Sequence, residues 1–243
     1  MNYIFSVTLV ALLPILSSAQ PGLYTINYKV SFNQRFDQDA SDIRLFDATL
    51  RIHDAIETDY FMVANELKKT SGDNIEIEQD TLWRVRTNLD QQELFFDDIF
   101  NEKLTSRWYA DSLFPMRWTI LPDKTYIDSF YCTKAVCSFR GRKYEAWYCS
   151  SISLPFGPWK FGGLPGLIVS VSDSASDLQI RLVNIKRTHD RLITEALKAR
   201  SYKEYLQTGN RVRKMMKLSA RNSDCIDCET KVKFHSWEKV FAE

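Results

Sequence analysis

The chain has 243 residues, a formal net charge of +1, 44% hydrophobic side chains and 13% aromatic ones. That length supports a core needing no staples, and the balanced charge argues against nucleic acid or an acidic surface as an obligatory partner. The aromatic share points to an aromatic-rich core or an aromatic-lined cleft.

Residues 1–19 carry no charged side chain; Ile4 to Leu16 is apolar and Ser17-Ser18-Ala19 ends the run with small residues. This predicts a secretory signal peptide cut before Gln20. The run is shorter than the roughly 20 apolar residues of a membrane-spanning helix, and no cysteine sits at the cut to carry a lipid. Residues 20–243 are then expected as a single exported domain, in the periplasm or cell envelope or secreted, and not membrane-spanning. In an oxidising compartment the five cysteines, Cys132, Cys137, Cys149, Cys225 and Cys228, are all disulfide candidates. Being odd in number, they allow at most two bridges and one remaining thiol.

Gly22 to Phe32 alternates apolar and polar residues and predicts a strand. Phe46 to Ile56 alternates again, with Glu57 to Val63 as its hairpin partner. Glu66 to Asp80 is polar, with Ser-Gly-Asp-Asn in its middle, and predicts a loop. Thr81 to Thr87, Glu93 to Phe100, Leu113 to Leu121, Lys124 to Tyr131 and Arg140 to Tyr148 predict further short strands, and Leu178 to Ile185 a clean one. Asp190 to Leu206 carries apolar residues at helical spacing behind Asp190 as N-cap, with Gly209 ending the helix and Arg211 to Ala220 forming a second, basic one. The fold expected is mostly β, a β-rich α+β chain: a strongly bent antiparallel sheet or incomplete β-barrel with two late α-helices.

Half of the eight glycines and three of the seven prolines fall between Pro155 and Gly166. No Lys-Ser or Lys-Thr follows the glycines, as a phosphate loop requires. The segment opens a β-branched run, Leu167 to Val171, where a dinucleotide site would open a helix. Prolines at 155, 158 and 165 stiffen it against acting as a hinge. It is best explained as rigid punctuation, with Leu164-Pro165-Gly166 turning the chain into a buried strand.

Within it, Gly163, Leu164, Pro165, Gly166, Leu167 and Ile168 spell GLPGLI. Before it come Tyr131-Cys132-Thr133-Lys134-Ala135, Phe139-Arg140-Gly141-Arg142, Ala146-Trp147-Tyr148 and Gly157-Pro158-Trp159-Lys160-Phe161, in that order. These blocks, with Trp118 and the Ala48 to Phe61 strand pair upstream, resemble the GLPGLI family of exported Bacteroidota proteins over most of the chain. Cys137, Cys149 and Leu154-Pro155 depart from that family's usual pattern. The resemblance implies an exported bacterial protein and carries no established reaction, so no catalytic residue is transferred.

Cys225-Ile226-Asp227-Cys228 has the spacing of a metal or redox pair. His53, His189 and His235 are its only histidine partners, and no βαβ pattern precedes it, so a disulfide is the simpler expectation. Cys137 and Cys149 flank one strand and could bridge neighbouring ones. Phe139 to Tyr144 sets Arg140, Arg142 and Lys143 beside aromatics, either to grip an anion or to lie as Arg stems over rings on an exposed strand face. Asp90, Glu93, Asp97, Asp98 and Glu102 lack the spaced oxygens and glycine of a calcium loop. Nucleophile motifs such as G-x-S-x-G are absent, as is the zinc motif H-E-x-x-H.

The function expected is an exported binding or accessory protein, without catalytic residues, metal or cofactor, and with no nucleic-acid partner. Aromatic residues Trp118, Tyr126, Tyr144, Trp147, Tyr148, Trp159 and Phe161 are expected to line its interior or mouth. Arg140, Arg142, Tyr144, Trp147, Trp159 and Phe161 form the candidate binding set. Its partner would be an apolar ligand, a peptide or an outer-membrane protein. The alternative is a metal-handling or thiol-redox protein built on Cys225 and Cys228.

Overall fold

A computed structural model describes residues 22–35, 41–69, 75–98, 108–189 and 197–221. Eleven strands form one antiparallel sheet: β1 (Leu23–Arg35), β2 (Ser41–His53), β3 (Glu57–Lys69), β4 (Ile75–Asn88), β5 (Glu93–Asp98), β6 (Trp108–Ser112), β7 (Thr119–Ile127), β8 (Phe130–Phe139), β9 (Arg142–Cys149), β10 (Leu167–Asp173) and β11 (Leu178–Thr188). Their spatial order is β6-β5-β4-β3-β2-β1-β11-β10-β9-β8-β7. Two meanders thus spread outward from a β1–β11 seam, where Ile26 lies across from Ile185 and Val30 from Ile180.

The chain connectivity demands a strong bend. Laid flat, ten strand spacings would separate β6 from β7 by roughly 48 Å. Yet only residues 113–118 join these two edge strands, and such a link reaches at most about 25 Å. The sheet therefore curls until its edges approach, without closing into a barrel. Its concave face follows the alternation of the strands: Ile26, Tyr28, Val30, Leu50, Ile52, Tyr60, Met62, Val85, Phe96 and Tyr109 are all buried there. β10 is nearly continuous Leu167, Ile168, Val169 and Val171, with every one of these side chains buried.

Several boundaries differ from the sequence expectation. Of the predicted loop Glu66 to Asp80, residues 66–69 and 75–80 instead extend β3 and β4, paired as far as Lys69 with Ile75, and 70–74 lie outside the described residues. Backbone pairing between two polar strands needs no apolar face, so periodicity did not mark it. Residues 113–118 are the edge-to-edge link, so the expected strand from Leu113 begins only at Thr119. The predicted Lys124 to Tyr131 strand is broken by the turn at Asp128, which has a positive φ of 52°.

Among the described residues the two expected late helices are one, α1 (Tyr202–Arg221), which runs through Gly209. Residues 197–201 are not helical, because Arg200 is committed to the sheet: Ala110 N donates to the Arg200 carbonyl (2.7 Å) and Arg200 N to that of Trp108 (2.9 Å). The helix begins immediately afterwards with a reciprocal cap. Glu204 N donates to Ser201 Oγ, and Ser201 N to Glu204 Oε2 (2.9 Å). Asp190 to Ala196, the start of the predicted helix, lies outside the described residues, as do the signal segment, Cys225 and Cys228.

Candidate functional site

The most heavily built polar site lies where the two ends of the curled sheet meet. Asp111 is the next-to-last residue of β6, on the concave face. Arg140 Nη1 and Nη2 grip its two oxygens at 2.8 and 2.7 Å, and Lys160 Nζ donates to Oδ2 at 2.9 Å. The Asp111 and Lys160 side chains are only 3% and 1% exposed. Burial alone would raise the Asp111 carboxyl, but the Arg140 hydrogen bonds and the Lys160 charge outweigh it and hold the group below the usual carboxylate range.

Local backbone geometry aims each cation. Arg140 and Gly141 form the whole β8–β9 turn with φ of 45° and 77°, the doubly left-handed turn that matches strand twist. Trp159 also has a positive φ, 54°, which sets Lys160 pointing inward. Aromatic rings complete the site. Tyr202 of α1 lies 3.7 Å from the Arg140 guanidinium carbon, and Phe96 of β5 lies 3.6 Å from Lys160 Nζ. Phe96, Tyr109 and Tyr205 pack as neighbouring rings beneath, with Phe96 and Tyr205 edge to face at 5.0 Å.

The glycine-rich segment packs against the same junction. Trp118 Nε1 donates to the Gly162 carbonyl (2.9 Å), and the Phe114 ring lies so close that a Cβ on Gly162 would sit 2.2 Å from it. At Gly166 a Cβ would meet the Cys149 carbonyl at 2.3 Å, with φ at +152°. The clustered glycines thus admit an aromatic ring and a neighbouring backbone at close range.

The six predicted binding residues fall in three places. Tyr144, Trp159 and Phe161 come together, but as core: Tyr144 and Trp159 contact the Phe161 ring edge-on at 5.0 and 5.2 Å, and all three are buried. Arg140 both lies over rings and grips a carboxylate, and that carboxylate is the chain's own. Arg142 pairs with buried Asp173, with Asp177 at 3.5 Å. Asp173 Oδ1 also accepts from the backbone N of Asp177 and Leu178, so this pair pins β9 to the β10–β11 turn. Trp147 lies on the opposite face, donating to Glu145 (2.9 Å) beneath Lys134. Of the other aromatics expected inside, Tyr126 is 71% exposed.

Asp111 and Asp173 escaped the sequence reading because their partners lie 29 to 49 positions away. Only their phase, acids at inward positions of strands, marks them. A second ionic group missed for the same reason sits on the convex face, where Arg84 holds Asp59 bidentately (2.9 and 2.7 Å) and Arg84 and Arg86 flank Trp108.

Cys132, Cys137 and Cys149 are buried thiols. Cys137 and Cys149, which flank one strand, do not face one another: the register sets Cys137 across from Tyr144 and Cys149 across from Leu167. Among the described residues, no three His, Cys, Asp or Glu side chains converge as a metal site would require.

The β6 edge is covered by the Arg200 segment. The β7 edge has no such cover among the described residues. Tyr126 and Tyr131 stand opposed on β7 and β8 with ring centroids 5.1 Å apart, and Ile120 is 50% exposed. By register these residues share the face of Ala135 and Tyr144, so they continue the core face outward as an apolar rim.

No family model matches the chain, and no curated protein matches its sequence. Eleven chains of solved structures match it in fold. Two of them are PNGF-II in space groups P21 and C2, each with a TM-score of 0.52, at 14% and 15% identity. Each likeness covers 77% of this chain and 33% or 32% of the other, so the chain spans about a third of the length of those proteins. At that identity the similarity shows the fold alone.

Proposed function

We propose that the chain is an exported binding or accessory protein of the GLPGLI family, in the periplasm or cell envelope, that takes an extended peptide segment of a protein partner along β7. The observation carrying this reading is the exposed Tyr126–Tyr131 pair, with exposed Ile120 further along the same strand, on a sheet edge that has no cover among the described residues. An added strand draws affinity from main-chain hydrogen bonds and specificity from pockets for alternate side chains. Pro122 and the bulge between Ile120 and Lys124 interrupt the edge, leaving Lys124 to Ile127 as the stretch able to pair.

The concave interior favours a surface partner over an engulfed apolar ligand, because Tyr144, Trp159 and Phe161 already fill their places against one another. The buried ionisable groups Asp111, Asp59 and Asp173 are each held by arginine, which suits staples better than acid–base chemistry. That the matched fold makes up a third of PNGF-II suits an accessory module.

A photo-crosslinking residue placed at position 126 in the producing cell tests this. One discrete adduct is expected, weakened about tenfold by Tyr131→Ala, as loss of an aromatic anchor costs more than about 1 kcal/mol. An adduct formed from exposed position 207 on α1 but not from 126 would refute the β7 reading. A native mass excess that disappears on denaturation would favour an enclosed ligand.

A further inference from the structure

The β8–β9 ladder keeps one register without a shift, from Phe139 opposite Arg142 to Thr133 opposite Tyr148. Continued by one rung beyond Thr133 and Tyr148, that register would bring Cys132 opposite Cys149, and both residues lie within their strands. We propose that Cys132 and Cys149 are joined by an inter-strand disulfide in the oxidised protein, while Cys137 stays a structural thiol. This does not depend on the partner proposed above.

Directly opposed residues of an antiparallel pair have Cα atoms about 4.5–5.5 Å apart, inside the roughly 4.4–6.8 Å that a disulfide spans. The two side chains leave the same face, and both are buried, at 0% and 1% exposure. Neither has a competing cysteine alongside: Cys132 faces Thr125 on β7 and Cys149 faces Leu167 on β10. Burial pushes the Cys132 thiol up to about 11, and the neighbouring Cys149 adds to the shift. A Cys132 thiolate is therefore disfavoured in this site.

The oxidant is a low-molecular-weight or protein disulfide such as oxidised glutathione. One cysteine thiolate attacks its S–S bond, forming a mixed disulfide and releasing one glutathione thiolate. The second cysteine, deprotonated, then attacks the protein sulfur and expels the other glutathione. Two protein S–H bonds are lost, one S–S bond forms, and the oxidant gains the two electrons and two protons. Because the folded pair is sealed from solvent, exchange occurs as β8 and β9 zip together. The bond would tie the end of β9 to β8 where the chain enters the glycine-rich segment, which packs on the Cys149 carbonyl through Gly166.

Tryptic cleavage separates the three cysteines into residues 125–134, 135–140 and 144–160. The full chain is refolded with reduced and oxidised glutathione, alkylated without reduction and mapped. The expected result is residues 125–134 linked to 144–160, with Cys137 alkylated. Alkylated Cys132 or Cys149, or either one linked to Cys137, Cys225 or Cys228, would overturn the proposal. Reductant should lower the melting temperature by roughly 5–10 °C in the wild type and leave a Cys132→Ala/Cys149→Ala variant unmoved. An equal loss in that variant would assign the stabilising bridge to another pair. Should the variant not fold, Cys225→Ala/Cys228→Ala must keep the 125–134 to 144–160 link, and loss of the link there also refutes the pairing.

Discussion

Asp111 ties the two ends of the sheet together, receiving Arg140 from the β8–β9 turn and Lys160 from the glycine-rich segment. Replacing it with Ala strands two cations in a buried site, at an expected cost of about 3–5 kcal/mol. Acid should act through the same group. The Asp111 carboxyl is held below its unfolded value near 3.8, so its stabilising contribution is present above that pH and is lost as pH falls through the lower folded value. Chemical unfolding of wild type and Asp111→Asn should therefore differ at neutral pH and converge as the pH drops below about 4. A gap constant with pH would mean that the carboxylate charge is not what closes the sheet. The sequence marked Arg140 and supplied its two alternatives, an anion grip and stacking on rings. It did not mark Asp111, because nothing near Trp108 to Ser112 signals a cation 29 or 49 residues downstream.

Element by element, strands whose faces differ in polarity were legible. Gly22 to Phe32, Phe46 to Ile56 and Leu178 to Ile185 alternate in the sequence; the first matches β1 from Leu23 on, the second β2 as far as His53, with 54–56 in the turn, and the third falls within β11. Elements whose stability comes from pairing alone were not, as the polar ends of β3 and β4 demonstrate. The start of α1 was written locally, in Ser201-Tyr202-Lys203-Glu204, yet helical spacing upstream obscured it. Glu204 is held below its ordinary range by the Ser201 backbone N–H and hydroxyl, as a working cap requires. Ser201→Ala should cost about 1 kcal/mol, seen as a drop of roughly 2–4 °C in melting temperature. No change would indicate that packing of Tyr202 and Tyr205, not the cap, fixes where the helix starts. Gly209 was expected to end the helix and does not. Its penalty of about 1 kcal/mol against Ala is small beside the burial of the helix on Phe96 and Tyr109.

At the scale of the molecule, protection should follow position in the sheet. Hydrogen exchange is expected to be slowest in β1, β10 and β11, where Ile26, Val30, Leu167, Val171, Leu178 and Ile180 are fully buried, and fastest along the exposed edge strand β7. Slow exchange in Lys124 to Ile127 of the isolated protein would mean that the β7 edge is already covered, removing the basis for a docked strand. The amino-acid sequence by itself determined that this is a mostly β chain with a bent antiparallel sheet, because alternation and turn residues act over a few positions. It also placed the rigid turn at Leu164-Pro165-Gly166, since proline and glycine carry their backbone preferences with them. Only the tertiary structure decided that the aromatic segment Trp159 to Phe161 packs as core, and that Arg140 and Arg142 are spent on internal carboxylates. Those outcomes depend on which distant strands become neighbours when an eleven-stranded sheet must curl to satisfy a six-residue link, and no local pattern carries that information.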